Sequence, residues 1–224
     1  PLAAPGQALL DFLLDPATQR IYVTATSGQL SVLDATTYRV LATLPVMGYL
    51  TLDAPSRRLY VSPVAWVVEG VAEPTISVID TTTNTLIGAL PGQVVAIDAV
   101  HDRLFVGEWA DSSTGKAAVG IRRYDATTLI QSGQLTQVGA PYYNPLRNEL
   151  LVIAHTVYQV DPESGAVISD LFPELAEQTM LWCNGCTWVD ELHLFPAENL
   201  LAIWVETHCT GGGCTVHKPP TFFN

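Results

Sequence analysis

One nine-residue phrase recurs along the chain and constrains its fold more than any other feature. Asp15-Pro-Ala-Thr-Gln-Arg-Ile-Tyr-Val23 returns as Asp53-Ala-Pro-Ser-Arg-Arg-Leu-Tyr-Val61 and as Asp98-Ala-Val-His-Asp-Arg-Leu-Phe-Val106. It fades to Asn144-Pro-Leu-Arg-Asn-Glu-Leu-Leu-Val152, and further to Phe195-Pro-Ala-Glu-Asn-Leu-Leu-Ala-Ile203. Successive copies begin 38, 45, 46 and 51 residues apart, a period that marks a repeat architecture. Each copy has the same physical logic. An Asp or Asn near a Pro makes a tight turn, a polar residue closes it, and a β-branched and aromatic run enters a strand. A second phrase follows at a steady offset: Leu30-Ser-Val-Leu-Asp-Ala-Thr-Thr37, Ile76-Ser-Val-Ile-Asp-Thr-Thr-Thr83, Ile121-Arg-Arg-Tyr-Asp-Ala-Thr-Thr128 and Val157-Tyr-Gln-Val-Asp-Pro-Glu-Ser164.

The first repeat offers four strand-like runs, Ala8–Leu14, Arg20–Thr26, Gln29–Leu33 and Arg39–Leu44, with turns at Ser27-Gly28 and Asp34–Thr37. Four short strands per unit, none able to bury both faces alone, is the pattern of an all-β propeller built from four-stranded blades. The blades are expected at about 6–44, 45–90, 91–135 and 136–172, with a partial fifth over 173–224. In that fifth unit Glu174–Met180 reads as a short helix, strands follow near Trp188–Leu194 and Leu200–Thr207, and no clear fourth strand is visible. Four full blades and an incomplete fifth point to a segment of a larger propeller. A five-bladed ring with a degenerate last blade, or an arc completed by another subunit, are the alternatives. The chain starts at Pro1 without Met or a signal-like segment, as expected of a processed protein or a piece of a longer one.

Arg20-Ile-Tyr-Val-Thr24 and Ser77-Val-Ile-Asp-Thr-Thr-Thr-Asn-Thr-Leu-Ile87 resemble the YVTN family of β-propeller repeats, which occur in secreted and surface-layer proteins. The likeness covers the first three repeats, part of the fourth and little of the fifth. It implies a propeller fold and an extracytoplasmic setting. It carries over no catalytic residues, because relatives range from adhesion modules to lactonase-like enzymes and electron-transfer subunits.

Charge excludes one class of partner. With a net charge of −12 and 10 Lys and Arg residues, the chain is not built to neutralise nucleic-acid phosphates. The pairs Arg57-Arg58 and Arg122-Arg123 read as solvated charge beside strands. No apolar run reaches the roughly 18 residues of a transmembrane helix.

All four cysteines fall in the last 42 residues, as Cys183-Asn-Gly-Cys186 and Cys209-Thr-Gly-Gly-Gly-Cys214. Two disulfides are the expected reading in an exported protein, with the connectivity open. A Cys₄ zinc site is the alternative, on a second pair spaced more widely than a usual knuckle, and a redox CxxC is a third. Haem attachment is excluded at the first pair because Thr187 stands where His is required. His208 and His217 flank the second pair and could enlarge a metal site, whereas His101, His155 and His193 stand alone. Calcium is open to an acidic exported chain, but no EF-hand-like acidic run supports it. No cofactor is predicted.

The once-per-unit acids Asp34, Asp80, Asp125 and Asp161, like Asp15, Asp53 and Asp98, read as turn-makers that accept backbone N–H bonds rather than as catalytic groups. Longer insertions at one fixed position, Pro63–Pro74 and Trp109–Lys116, place Trp66, Glu69, Glu108, Trp109 and Asp111 on one expected rim. Exposed Trp there suits a protein or carbohydrate contact; a Trp folded back over its own blade is the competing reading. The resulting expectation is a non-enzymatic extracytoplasmic scaffold that binds a protein partner or further subunits. The alternatives are an enzyme or enzyme subunit with a site on the channel face, lactonase-like or electron-transfer-associated, and a structural subunit of a surface layer or filament.

Overall fold

The first four copies of the recurring phrase fold as the turns of β-hairpins, and the strand pattern follows from them. The computed structural model describes residues 8–64, 74–107, 120–154 and 156–171, together with the backbone of the strands Thr187–Phe195, Leu200–His208, Thr215–His217 and Thr221–Phe223. The first sheet contains β1 (Leu9–Asp15), β2 (Arg20–Ala25), β3 (Gln29–Asp34) and β4 (Val40–Leu44), antiparallel and in chain order. The second repeats this with β5 (Tyr49–Asp53), β6 (Arg58–Ser62), β7 (Thr75–Asp80) and β8 (Thr85–Pro91). The third has β9 (Val94–Asp98), β10 (Arg103–Gly107), β11 (Arg122–Asp125) and β12 (Gln131–Gln134). The fourth has β13 (Ala140–Asn144), β14 (Glu149–Ile153), β15 (Val157–Val160) and β16 (Val167–Asp170).

The fifth sheet is built differently. β17 (Thr187–Phe195) and β18 (Leu200–His208) form a long hairpin, and two three-residue strands, β19 (Thr215–His217) and β20 (Thr221–Phe223), both pair with β18. They share one edge of β18 end to end, so this sheet has four strands but is three strands wide. The sequence reading missed the fourth strand because three residues are too few to display an alternating pattern. No ladder joins the first sheet to the fifth among the described residues.

The first four sheets lie side by side, with the first strand of each next to the first strand of the following one. Their cores are seams between sheets. In the seam between the first and second sheets, Tyr22, Leu30, Val32 and Leu44 pack on Leu50, Leu59, Val61 and Ile79. Tyr60, Ile76, Val78 and Leu90 meet Val95, Leu104, Val106 and Tyr124 in the next seam. Phe105, Ile121 and Leu135 meet Tyr143, Leu150, Val152 and Val160 in the third. Adjacent residues of a strand point to opposite faces. The run Leu-Tyr-Val in β6 therefore sends Leu59 and Val61 back to the preceding sheet and Tyr60 forward to the next. A continuous apolar run is what a strand buried on both faces requires.

The last strand of each of the first four sheets is the exposed one: β4, β12 and β16 bury almost nothing, and β8 little more. Entry into the inner strands needs close approach. Gly48 and Gly139 have φ of +155° and +146°, and a Cβ on Gly139 would fall 2.2 Å from the Ile153 carbonyl oxygen. We expect Gly139→Ala to cost about 1–3 kcal/mol in urea unfolding at constant m-value; an unchanged midpoint would show that the entry can relax.

Candidate functional site

In an antiparallel sheet the turn after the first strand and the turn after the third lie at the same end. All the recurring carboxylates therefore gather on one rim. After the third strands, each Asp folds its side chain back over the next residues. Asp34 Oδ1 accepts N–H bonds from Thr36 at 3.0 Å and Thr37 at 2.7 Å, and the Thr37 hydroxyl at 2.8 Å. Asp80 accepts from Thr82 and Thr83 at 2.7 and 2.9 Å. Asp125 takes the Thr128 N–H and hydroxyl at 2.6 and 2.7 Å, and Asp161 takes the Ser164 pair at 2.6 and 2.8 Å. Backbone donors aimed at the charge hold all four carboxyls below the usual range, the N–H of the third following residue contributing most. These turns close on left-handed residues, Tyr38, Asn84, Leu129 and Gly165.

The three Asp residues and the Asn after the first strands are buried instead. Asp15 accepts the Ala17 N–H at 3.0 Å and the Thr18 hydroxyl at 2.6 Å, Asp53 the Ser56 N–H at 3.3 Å, and Asn144 the Leu146 N–H at 3.1 Å. Asp98 is the most heavily engaged. It accepts Arg103 Nε at 2.9 Å and Nη2 at 2.5 Å, and lies 2.8 Å from His101 Nδ1. Burial pushes its carboxyl up, but the bonds from Arg103 and His101 outweigh that and hold it low. Burial, then the same carboxylate, pushes the Tyr143 hydroxyl up to about 12.

The two turns of a sheet are tied together. The carbonyls of the left-handed residues Gln19, Arg57 and Asp102 accept the N–H of Ala35, Thr81 and Ala126 at 2.8–2.9 Å. In the fourth sheet the equivalent donor would be Pro162, which has no N–H. Arginines then tie each sheet to the next. Arg20 Nη1 donates to Asn84 Oδ1 at 3.2 Å, Arg58 Nη2 to the Thr127 carbonyl, and Arg103 Nη1 to Glu163. Each starts a second strand and reaches the turn after the third strand of the following sheet. Arg122 donates to the Pro91 carbonyl at 2.8 Å, and Arg123 to the carbonyls of Pro162 and Glu163 at 3.2 and 3.1 Å. Arg58, Arg122 and Arg123 are thus connectors rather than the freely solvated strand-edge charge expected from the sequence. The polar residue that closes each turn was visible in the repeat, but nothing in one phrase says that its side chain crosses to the next unit. In the fourth copy Glu149 stands at that position and accepts Gln159 Nε2 within its own sheet at 2.9 Å.

The inner strands carry apolar side chains, Tyr and Thr between their turn residues, with Asp11 as the exception. Asp11 is structural too: its Oδ2 accepts the Leu50 N–H of the second sheet at 2.8 Å, while Thr24 Oγ1 donates to the Gly48 carbonyl at 2.7 Å. The expected rim residues Trp66, Glu69, Glu108, Trp109 and Asp111 lie outside the described residues, as do Cys183, Cys186, Cys209 and Cys214, the predicted helix at 174–180 and His155. His193, His208 and His217 fall on backbone strands whose side chains are likewise outside them. Among the described residues no group of three or more His, Cys, Asp or Glu is placed to hold a metal ion, and no helix is long and apolar enough to cross a membrane.

Sheets of this kind, stacked through their faces with the first strands innermost, define a β-propeller. The chain has that fold in common with solved structures of low sequence identity. It aligns with a chain of a crystal structure of the mitotic checkpoint complex at a TM-score of 0.62 and 15% identity, covering 98% of this chain and 69% of that one. It aligns with BamB from Moraxella catarrhalis at a TM-score of 0.54 and 12% identity, covering 85% of this chain and 54% of that one. No protein-family model and no curated protein matches the sequence.

The turn carboxylates give a pH signature. A carboxyl held below its ordinary value of 3.8 in the folded chain binds protons more readily when unfolded, so its contribution is complete above that value and fades as pH falls below it. We expect Asp80→Ala to lower the unfolding midpoint at pH 7 and the difference from wild type to shrink toward pH 2. A difference that persists at low pH would assign the effect to something other than the charge.

Proposed function

We propose that this chain is a non-enzymatic, extracytoplasmic propeller module that serves as a scaffold for a protein partner. The observation that carries the reading is a repeated pair of exposed aliphatic residues. Val40-Leu41, Leu86-Ile87 and Val167-Ile168 occupy the same offset after Asp34, Asp80 and Asp161 on the outer strands, and each residue is 46–60% exposed. Scattered surface apolar residues need no explanation, but the same pair recurring on three blades presents a spaced series of contacts. The polar side chains beneath are bound into turns and seams, which gives that series a rigid backing. One of the similar structures is a chain of a multi-protein complex, which fits the same kind of role. The resemblance of Arg20–Thr24 and Ser77–Ile87 to YVTN repeats, and four cysteines gathered in one segment, support the extracytoplasmic setting.

Two measurements test this. Cross-linking and mass spectrometry in an extract of the source should recover a specific protein bound to the wild type and at least tenfold less bound to Leu86→Asp/Val167→Asp. Equal recovery with the fold intact would remove the outer strands from the interface. Intact mass should rise by four hydrogens on reduction, from Cys183, Cys186, Cys209 and Cys214, with no metal lost to chelator. A chelator-sensitive zinc would replace the disulfides by a metal site.

A further inference from the structure

We propose that the seam between the second and third sheets holds one buried water molecule, coordinated by Tyr60 Oη, Asp53 Oδ2 and Arg58 Nη1. Asp53 stands directly across from Arg58 in the β5–β6 ladder. Tyr60 follows two residues along β6 and therefore projects from the same face. Asp53 and Arg58, directly opposed, start about 5 Å apart at Cβ, and Tyr60 is diagonal to Asp53 at about 7–8 Å, within reach of an aromatic and a long side chain. Tyr60 is fully buried and Asp53 is 1% exposed. Each of the three atoms is sealed from solvent and has no hydrogen-bond partner in the protein.

One further polar atom of each charged side chain is committed elsewhere. Asp53 Oδ1 accepts the Ser56 N–H at 3.3 Å, and Arg58 Nη2 donates to the Thr127 carbonyl. What remains is a carboxylate acceptor, a guanidinium donor and a hydroxyl that can serve as either. Burial, then the Asp53 charge, pushes the Tyr60 hydroxyl well above its ordinary value, so it is present as O–H. Buried polar atoms that the chain leaves unmet are ordinarily met by ordered water. Charge narrows the ligand class to water. A cation at this point would face the Arg58 guanidinium, and an anion would face the Asp53 carboxylate. A water can donate to Asp53, accept from Arg58 and exchange one further bond with Tyr60.

The third seam acts as an internal control. There Asp98 is closed directly by Arg103 at 2.5 and 2.9 Å and by His101 at 2.8 Å. The position equivalent to Tyr60 is Phe105, which has no hydroxyl. Of these two seams, the hydroxyl is present where carboxylate and guanidinium stay open and absent where they close on each other. In the first seam Tyr22 Oη is also sealed without a partner, but both Asp15 oxygens are taken by Ala17 and Thr18, so that seam lacks the open carboxylate. A high-resolution crystal structure of the wild-type chain tests the assignment. It should show an ordered water within about 3 Å of all three atoms and no counterpart between Asp98 and Phe105. A direct Tyr60–Asp53 bond, no density at the site, or an anomalous signal from an ion there would each overturn it.

Discussion

The structure depends on one constraint: a four-stranded sheet with two apolar faces is stable only between other such sheets. A lone hairpin is marginal in water, and a four-stranded sheet standing alone leaves both of its apolar faces exposed. Leu59 and Val61 are buried by the first sheet, while Tyr60, between them, is buried by the third. Neither half of that arrangement is worth forming without its neighbour. The repeat period of the sequence is thus the distance between successive solutions of one burial problem, and the seam rather than the blade is the unit of the core.

Polar groups on the turn rim convert loose stacking into fixed register. Apolar faces alone tolerate sliding, because dispersion and burial are non-directional. The Arg20–Asn84, Arg58–Thr127 and Arg103–Glu163 bonds set each sheet against the turn of the next. The turns after the third strands offer those arginines an ordered target because the Asp that opens each is spent on backbone N–H groups. A frame whose charged residues are used in this way is suited to holding surfaces in fixed relation, which is the role proposed for the outer aliphatic pairs.

Most of the fold was legible from residues with a local meaning. Asp15, Asp53 and Asp98 announced their turns, and strands such as Arg20–Ala25 and Arg58–Ser62 fell where alternation and β-branching put them. Relations between units were not legible. That Arg103 would meet Glu163, 60 residues away, depends on how sheets stack, which no single phrase encodes. The strands β19 and β20 escaped for a different reason, since three residues give no period to read. Of the candidate site, the turn carboxylates were recognised for what they do. The role of Arg58, Arg122 and Arg123 was missed, because a charged side chain beside a strand gives the same signal whether it is solvated or bonded to a carbonyl of the neighbouring sheet.

The most direct test of the seam as the unit of stability is native-state hydrogen exchange on the wild type and on Leu104→Ala. Leu104 belongs to the third sheet but is buried against Tyr60 and Val78 of the second. The account predicts that the variant loses protection in β6 and β7 by as large a factor as in β10. Loss confined to the third sheet, with β6 and β7 unchanged, would mean that each blade stands on its own and would contradict it.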